Sequence, residues 1–314
     1  MSYSSDVKHE ITMIDLDEEA QRAQLSSFLH LNSTMHIENR RIELQIQIEN
    51  ATIAKRIFQL VKERYNVETE LKVLKRQNLN KNTIYRLRIK DRAIPILEDL
   101  GIYGKTSFRV VPYSHIVVKA SSAQAYLAGA FLAAGSVNSP NKPDYHLEIA
   151  ANTIEMAEFL VTIMEKFDLT PKITQRRSKF IVYIKAADKI ADFLKIVGAQ
   201  NLYLKFEDVR IQRDFRNSIT RLDNMELAND VKTIQAGNKQ LDAIYKLIEH
   251  NRLNHLDQRL IDVAELRMDH PESNLNELIE IYQRETGNKI SKSGLQHRFS
   301  KILEISEKID EKSS

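Results

Sequence analysis

The sequence predicts an α+β protein: a duplicated unit of helix, two strands, helix, two strands, helix, followed by an all-α tail ending in a helix-turn-helix. Three observations predict it. Sliding the chain along itself brings out a weak internal repeat with a spacing of about one hundred residues. After residue 202, β-branched alternation gives way to helical periodicity that continues almost to the C-terminus. Finally, "NLNELIEIYQRETGNKISKSGLQHRFSKIL" (residues 274–303) carries capping residues, a glycine stop and two amphipathic runs in the order helix, turn, helix.

Each repeat can be justified element by element. In the first copy, "QLSSFLHLNSTMHI" (24–37) leads into the alternating strand "IELQIQI" (42–48), and then into a helical pattern through Ile57, Leu60, Val61 and Tyr65. In the second, "YLAGAFLAAGSV" (126–137) leads into "YHLEI" (145–149) and a helix carrying Phe159, Leu160, Ile163, Met164 and Phe167. Asn50 and Asn152 precede these second helices and are the expected N-caps. Basic hairpins follow at 70–90 and 172–185. Each copy closes with a short helix, at 94–102 and 190–199, where Gly101 and Gly198 suit a left-handed C-cap.

In the tail, "FEDVRIQRDFRNSITRL" (206–222) places Ile211, Phe215, Ile219 and Leu222 on one face and Arg210, Arg213, Asn217 and Arg221 on another, as a connector helix would. Residues 238–250 and 256–271 supply supporting helices. Asn274 with Glu277 forms a capping box, Leu275, Leu278, Ile279 and Tyr282 form a buried face, and Gly287 stops the helix. Ser291 or Ser293 caps the last helix, where Leu295, Phe299 and Ile302 point inward and Lys292, Gln296, His297 and Ser300 outward. The expected organisation is an N-terminal segment (1–18), repeat 1 (19–104), a linker (105–120), repeat 2 (121–202), a connector helix (203–230) and the helix-turn-helix domain (231–310).

Composition narrows the function. Lys plus Arg number 46 against 43 Asp plus Glu, a net charge of +3, so any basic surface must come from local clustering. The chain has no cysteine, which excludes disulfides, thiolate metal sites and cysteine nucleophiles. No apolar h-region opens the sequence, and no run of about 18 apolar residues occurs. A cytoplasmic protein without membrane contact is expected. No phosphate-binding glycine loop is present and the nine histidines lack HExxH spacing. No cofactor, metal or small-molecule substrate is therefore expected.

The stretch "AYLAGAFLAAG" (125–135) is uncharged and rich in small residues, which let a helix approach a partner backbone closely. With "LSSFLHLNS" (25–33) in the first copy, it predicts a pseudo-twofold pair of interface helices meeting at Ser26, Ser27, Gly129 and Ala133. "LAGAFLAAG" (127–135) resembles the motif helix of LAGLIDADG homing endonucleases, and the repeat order resembles their saddle-shaped fold over about residues 19–200. In that family the acidic residue before the final glycine binds a divalent metal that activates water. Here the matching positions are Asn32 and Ala134, so the resemblance implies that nuclease chemistry is lost. Asp6, Asp15 and Asp17 are the acids left to an active magnesium-dependent endonuclease, and they precede the first motif helix.

Two DNA surfaces are candidates. On the saddle, Lys75, Arg76, Arg86, Arg88, Arg176, Arg177 and Lys179 lie on or near hairpins, suited to phosphates. In the tail, a helix-turn-helix sets its second helix in the major groove, with Gln296 and His297 reading bases and Lys292, Ser293, Arg298 and Lys301 beside them or on the backbone. The whole tail, with "VRIQRDFRNSITR" (209–221), "ELANDVKTIQAGNKQLDAI" (226–244) and "SKSGLQHRFSKI" (291–302), and the start "YSSDVKHEI" (3–11), resembles the WhiA family of bacterial regulators over nearly the entire chain. That resemblance implies a degenerate LAGLIDADG domain joined to a sigma-region-4-like helix-turn-helix. It also implies sequence-specific binding of double-stranded DNA, acting in transcription of sporulation genes in some bacteria and in cell division and chromosome segregation in others. The alternative is an adaptor that binds DNA through the tail and RNA polymerase or a sigma factor through the saddle.

Overall fold

The computed structural model describes residues 2–38, 41–75, 83–105 and 107–313. After an N-terminal helix, α1 (Tyr3–Thr12), the first copy runs α2 (Glu18–Asn32), β1 (Ser33–Glu38), β2 (Arg41–Ile48), α3 (Ala51–Tyr65), β3 (Thr69–Lys75), β4 (Thr83–Ile89) and α4 (Ala93–Asp99). The second runs α5 (Ala120–Ala134), β5 (Gly135–Val137), β6 (Leu147–Ala151), α6 (Ile154–Glu165), β7 (Lys172–Arg176), β8 (Lys179–Ile184) and α7 (Ala187–Ile196). Both sheets are antiparallel, in the orders β1-β2-β4-β3 and β5-β6-β8-β7. The succession expected from the repeat, helix, two strands, helix, two strands, helix, is the one found in each copy.

Local chemistry explains the boundaries. Asp17 caps α2 by accepting from the Ala20 amide, and Asn50 caps α3 by accepting from Thr52 and Ile53. The second asparagine does not repeat this role. Thr153 caps α6 through the Met156 amide, while the Asn152 side chain accepts from Lys179 Nζ, so the expected cap shifts by one residue. Gly101 and Gly198 hold φ of +70° and +83°, as a left-handed stop requires.

Alternation places Leu44, Ile46 and Ile48 of β2, Leu87 and Ile89 of β4, and Leu147, Ile149, Val182 and Ile184 of the second sheet in one core that spans both copies. The two long helices α2 and α5 pack against each other in this core, with Ser27, Gly129 and Ala130 fully buried or nearly so. Ala133 is half-buried beside them. Ser26 points elsewhere. Its hydroxyl donates to Leu100 O at 2.7 Å and fastens α2 to the chain after α4.

The tail begins with a single helix, α8 (Gln200–Glu249), followed by α9 (Gln258–Asp269), α10 (Leu275–Thr286) and α11 (Lys292–Ser313). The separate helices expected at 206–222 and 238–250 are one helix of 50 residues, and the expected boundaries at 202/203 and 230/231 fall inside it. No proline lies within α8, and its lone glycine, Gly237, is tolerated in a helix at modest cost. The chain divides into two compact units, Met1–Arg213 and Asp214–Ser314. The second has its own core, built on Leu247, Leu260, Val263, Leu278, Leu295, Phe299 and Ile302.

Candidate nucleic-acid interface

In the second unit, α10 and α11 form the expected helix-turn-helix, and each terminus has a chemical cause. Asn274 Oδ1 accepts from the amides of Asn276 (2.9 Å) and Glu277 (3.1 Å), and Glu277 Oε2 accepts from the Asn274 amide (2.8 Å), completing the capping box. Gly287 ends α10 at φ +71°. Ser291, not Ser293, caps α11, accepting from the Gly294 amide at 3.1 Å. Leu278 and Tyr282 are buried, with Leu275 and Ile279 packed partly against the same core.

On α11, Leu295, Phe299 and Ile302 are buried at the expected spacing, which turns Lys292, Ser293, Gln296, His297, Ser300 and Lys301 to solvent. This face offers amide, imidazole, hydroxyl and ammonium groups along one side of a helix. Arg298 differs: its guanidinium donates to Tyr282 Oη at 3.2 Å and lies 5.7 Å from that ring's centroid, so it binds α11 to α10. Arg267, absent from the expected set, is 3% exposed. It donates to Gln240 Oε1 (3.0 Å) and Ser273 O (2.7 Å) and lies over Phe299, bracing α8, the α9–α10 connection and α11. Its signal was its position: 267 continues the apolar spacing Leu260, Val263, Ala264, where a charge is buried only with partners.

On the saddle, the strand faces opposite the core carry the expected cations. Across the first sheet, Gln47, Arg86 and Lys72 form one row and Gln45, Arg88 and Glu70 the next. Arg88 donates to Gln45 Oε1 at 3.4 Å, and the carboxylate of Glu70 pairs with Lys72 at 2.8 Å. Across the second sheet, Arg176 stands opposite Lys179 and reaches Glu148 at 3.4 Å. His146, stacked on Tyr183, holds the same carboxylate at 2.9 Å. Arg177 sits exposed in the β7–β8 turn, with Lys75 exposed at the end of β3. Arg76 lies outside the described residues. The faces are therefore mixed in charge, with cations set among carboxylates.

At the base of the helix pair, Asn32 and Ala134 are the last residues of α2 and α5. Asn32 Nδ2 donates to Gln47 O at 3.2 Å. Between the helix ends lies a cavity of about 730 Å³, lined by Ser4, Ser5, Lys8, Asn32, Asn50 and Ser136 among others. Lys8 projects into it from α1, its Nζ donating to Leu132 O at 3.3 Å and lying 5.6 Å from the Phe131 ring. Burial lowers the Lys8 pKa to about 8. The cavity's lining includes one carboxylate, Glu49, and a single carboxylate does not make a divalent-metal site here: alanine at 134 offers no ligand, the Asn32 amide is a weak one, and the Lys8 ammonium already balances the helix-end carbonyls. Asp15 and Asp17 line a different cavity, with Ala20 and Gln24 of α2 and Gln124 of α5, away from the helix ends at Asn32 and Ala134. Among the described residues no cluster of three His, Asp or Glu is arranged to hold a metal, and no helix is long and apolar enough to cross a membrane.

Comparison with known proteins covers the whole chain. Family models match in three places: the WhiA N-terminal LAGLIDADG-like domain over residues 18–103, the WhiA LAGLIDADG-like domain over 123–216, and the WhiA C-terminal HTH domain over 219–306. The chain is 42% identical over 309 residues to a probable cell division protein WhiA of Staphylococcus saprophyticus, covering 98% of each. It is 41% identical over 314 residues to one of Enterococcus faecalis, covering all of both. Among solved structures, full-length DUF199/WhiA from Thermatoga maritima superposes with a TM-score of 0.59 at 19% identity, covering 98% of this chain and 99% of that one.

Proposed function

The chain belongs to the WhiA family, and on that footing we propose that it is a sequence-specific double-stranded DNA-binding regulator that reads its site with α11 and lacks nuclease activity. The observation that carries this reading is the polar face of α11, where Gln296 and His297 stand between Lys292 and Lys301 while the opposite face is buried. Side chains of this kind pair with base edges in the major groove, and the lysines neutralise phosphates on either side. The cellular role proposed is regulation of transcription linked to cell division and chromosome segregation, and to sporulation in hosts that sporulate. It operates in the cytoplasm on the nucleoid. The relatives' name, cell division protein, supports that direction.

Loss of nuclease activity rests on Asn32, Ala134 and Lys8 at the base of the helix pair. The mixed charge of the saddle faces favours a second reading for that unit alone, in which it holds a protein partner such as RNA polymerase or a sigma factor while the tail holds DNA.

The test is fluorescence anisotropy of the full chain on sheared genomic DNA across a salt series. Lys292→Ala with Lys301→Ala should flatten the salt dependence by about 0.9 in slope for each phosphate no longer neutralised. Glutamine at Arg86, Arg88, Arg176 and Lys179 should flatten it further if the saddle touches DNA, and leave it unchanged if the saddle serves a protein. Full affinity after both tail substitutions would refute recognition by α11.

A further inference from the structure

The cavity at the base of the helix pair holds hydrogen-bond donors without acceptors. Lys8 is half-buried there, and among the described residues its ammonium forms no ion pair. Of its three N–H donors one is used, on Leu132 O at 3.3 Å. The partial charge of a carbonyl does not neutralise a full one. Glu49, the single carboxylate of the lining, is exposed to solvent, where water screens it. Two hydroxyls beside Lys8 act as acceptors: Ser4 Oγ receives the Val137 amide at 3.4 Å and Ser5 Oγ receives Asn50 Nδ2 at 3.5 Å. Neither passes its own hydrogen to another described residue, so both O–H groups remain available. Ser4, Ser5 and Lys8 all belong to α1, the helix that precedes both repeats.

A donor set of this kind, one ammonium and two hydroxyls, is the reverse of a cation site and suits the oxygens of an anion. The rest of the lining says what the anion is attached to. Phe28, Ile48, Ile53, Ile84 and Leu132 are each less than a tenth exposed and form an apolar wall. The volume, about 730 Å³, lies within the ordinary range of small-molecule sites, about 300 to 1,000 Å³, and exceeds what one inorganic ion fills. A nucleic-acid backbone would meet the donors and leave that wall empty. Keeping a cation without a counter-charge where burial disfavours it costs stability, and such departures from the rules of packing concentrate at functional sites.

We propose that this cavity binds a small organic phosphate, its phosphate oxygens accepting from Lys8, Ser4 and Ser5 and its carbon body lying against Phe28, Ile53 and Ile84. Among the described residues no serine of the lining donates to a base, so the compound is held and released unchanged. It is an effector of the first unit, seated where α1 meets the ends of α2 and α5.

Isothermal titration calorimetry of the full chain with inorganic phosphate and with phenyl phosphate, at neutral pH and fixed ionic strength, tests this. Saturable binding of both is expected, with phenyl phosphate the tighter because its ring reaches the apolar wall. Lys8→Met should weaken both by about tenfold or more, the loss of one charge-assisted hydrogen bond, and Ser5→Ala by less. Lys8→Met removes a cation that burial disfavours and keeps the apolar stem, so the variant folds, and its urea midpoint verifies this. Binding that survives Lys8→Met overturns the proposal, as does the absence of saturable binding by either probe. Equal affinity for the two probes would mean an adventitious ion only and would also overturn it. A last arm titrates Lys8→Met with sheared genomic DNA across a salt series, where the native slope is expected. A slope shallower by about 0.9 would assign Lys8 to a DNA backbone phosphate and refute the small-molecule ligand.

Discussion

Gly129 of α5 faces Ser27 of α2 so closely that a Cβ at position 129 would lie 2.1 Å from Ser27 Oγ and 2.3 Å from Gln24 O. Neither separation is possible for real atoms, and the second is to backbone, which cannot swing aside. The helix pair at the centre of the saddle therefore depends on a missing methyl group. Gly129→Ala should force the helices apart and lower stability by about 1 to 3 kcal/mol despite its better helix propensity, and Gly129→Leu should do worse. Urea unfolding measures it; an alanine variant as stable as the native chain would show that α2 and α5 are not held at this distance.

His30 is mostly buried in α2, with Nε2 on Arg109 O at 3.0 Å and Nδ1 without a partner. Burial lowers its pKa from 6.5 to about 4. Between those values the unfolded chain binds a proton that the folded chain refuses, so stability rises with pH across this window and is lost as pH falls through it. The contribution amounts to roughly 3 kcal/mol. His30→Gln should flatten the pH dependence of the urea midpoint between pH 6.5 and 4; an unchanged slope would assign the acid sensitivity to other groups.

Lys8 occupies the base of the helix pair as a cation that burial disfavours, since its pKa is lowered to about 8. At neutral pH the folded state holds the charge at a cost, so Lys8→Met should raise stability by about 1 to 3 kcal/mol. A drop in the unfolding midpoint would mean that the hydrogen bond to Leu132 O outweighs desolvation.

For recognition, Gln296→Ala and His297→Ala should each relax discrimination at particular base pairs by about 1 to 3 kcal/mol. Binding to a library of single-base variants of a bound site reads this directly. A loss of affinity equal across all sequences would move these residues to phosphate contact.

Asn274→Ala should lower the stability of the tail unit by about 0.5 to 2 kcal/mol, because the amides of Asn276 and Glu277 lose their acceptor while the bond from the residue 274 amide to Glu277 remains. A thermal melt unchanged by this substitution would contradict the capping box.

Elements whose cause is local or periodic were legible in the sequence alone. The repeat predicted two copies of one succession of helices and strands because each copy carries its own alternation and its own glycine stop at Gly101 and Gly198. The capping box at Asn274, the left-handed Gly287 and the inward spacing of Leu295, Phe299 and Ile302 all act within a few residues, so the helix-turn-helix could be read without its neighbours. The choice of Gly129 for close helix contact was legible too, because only small residues serve that purpose.

Whatever depends on distant partners came from tertiary structure. Asn152 and Thr153 are equally good caps by type, and Lys179, brought near by the β7–β8 hairpin, draws Asn152 away. Arg298 reads as a phosphate ligand by its place on α11, yet Tyr282, sixteen positions earlier, holds it. Lys8 and Leu132 are 124 residues apart, and no local pattern joins them. The continuity of α8 was hidden for the opposite reason: its exposed apolar stripe reads as a buried face, since periodicity shows that one side of a helix is apolar but not what that side packs against.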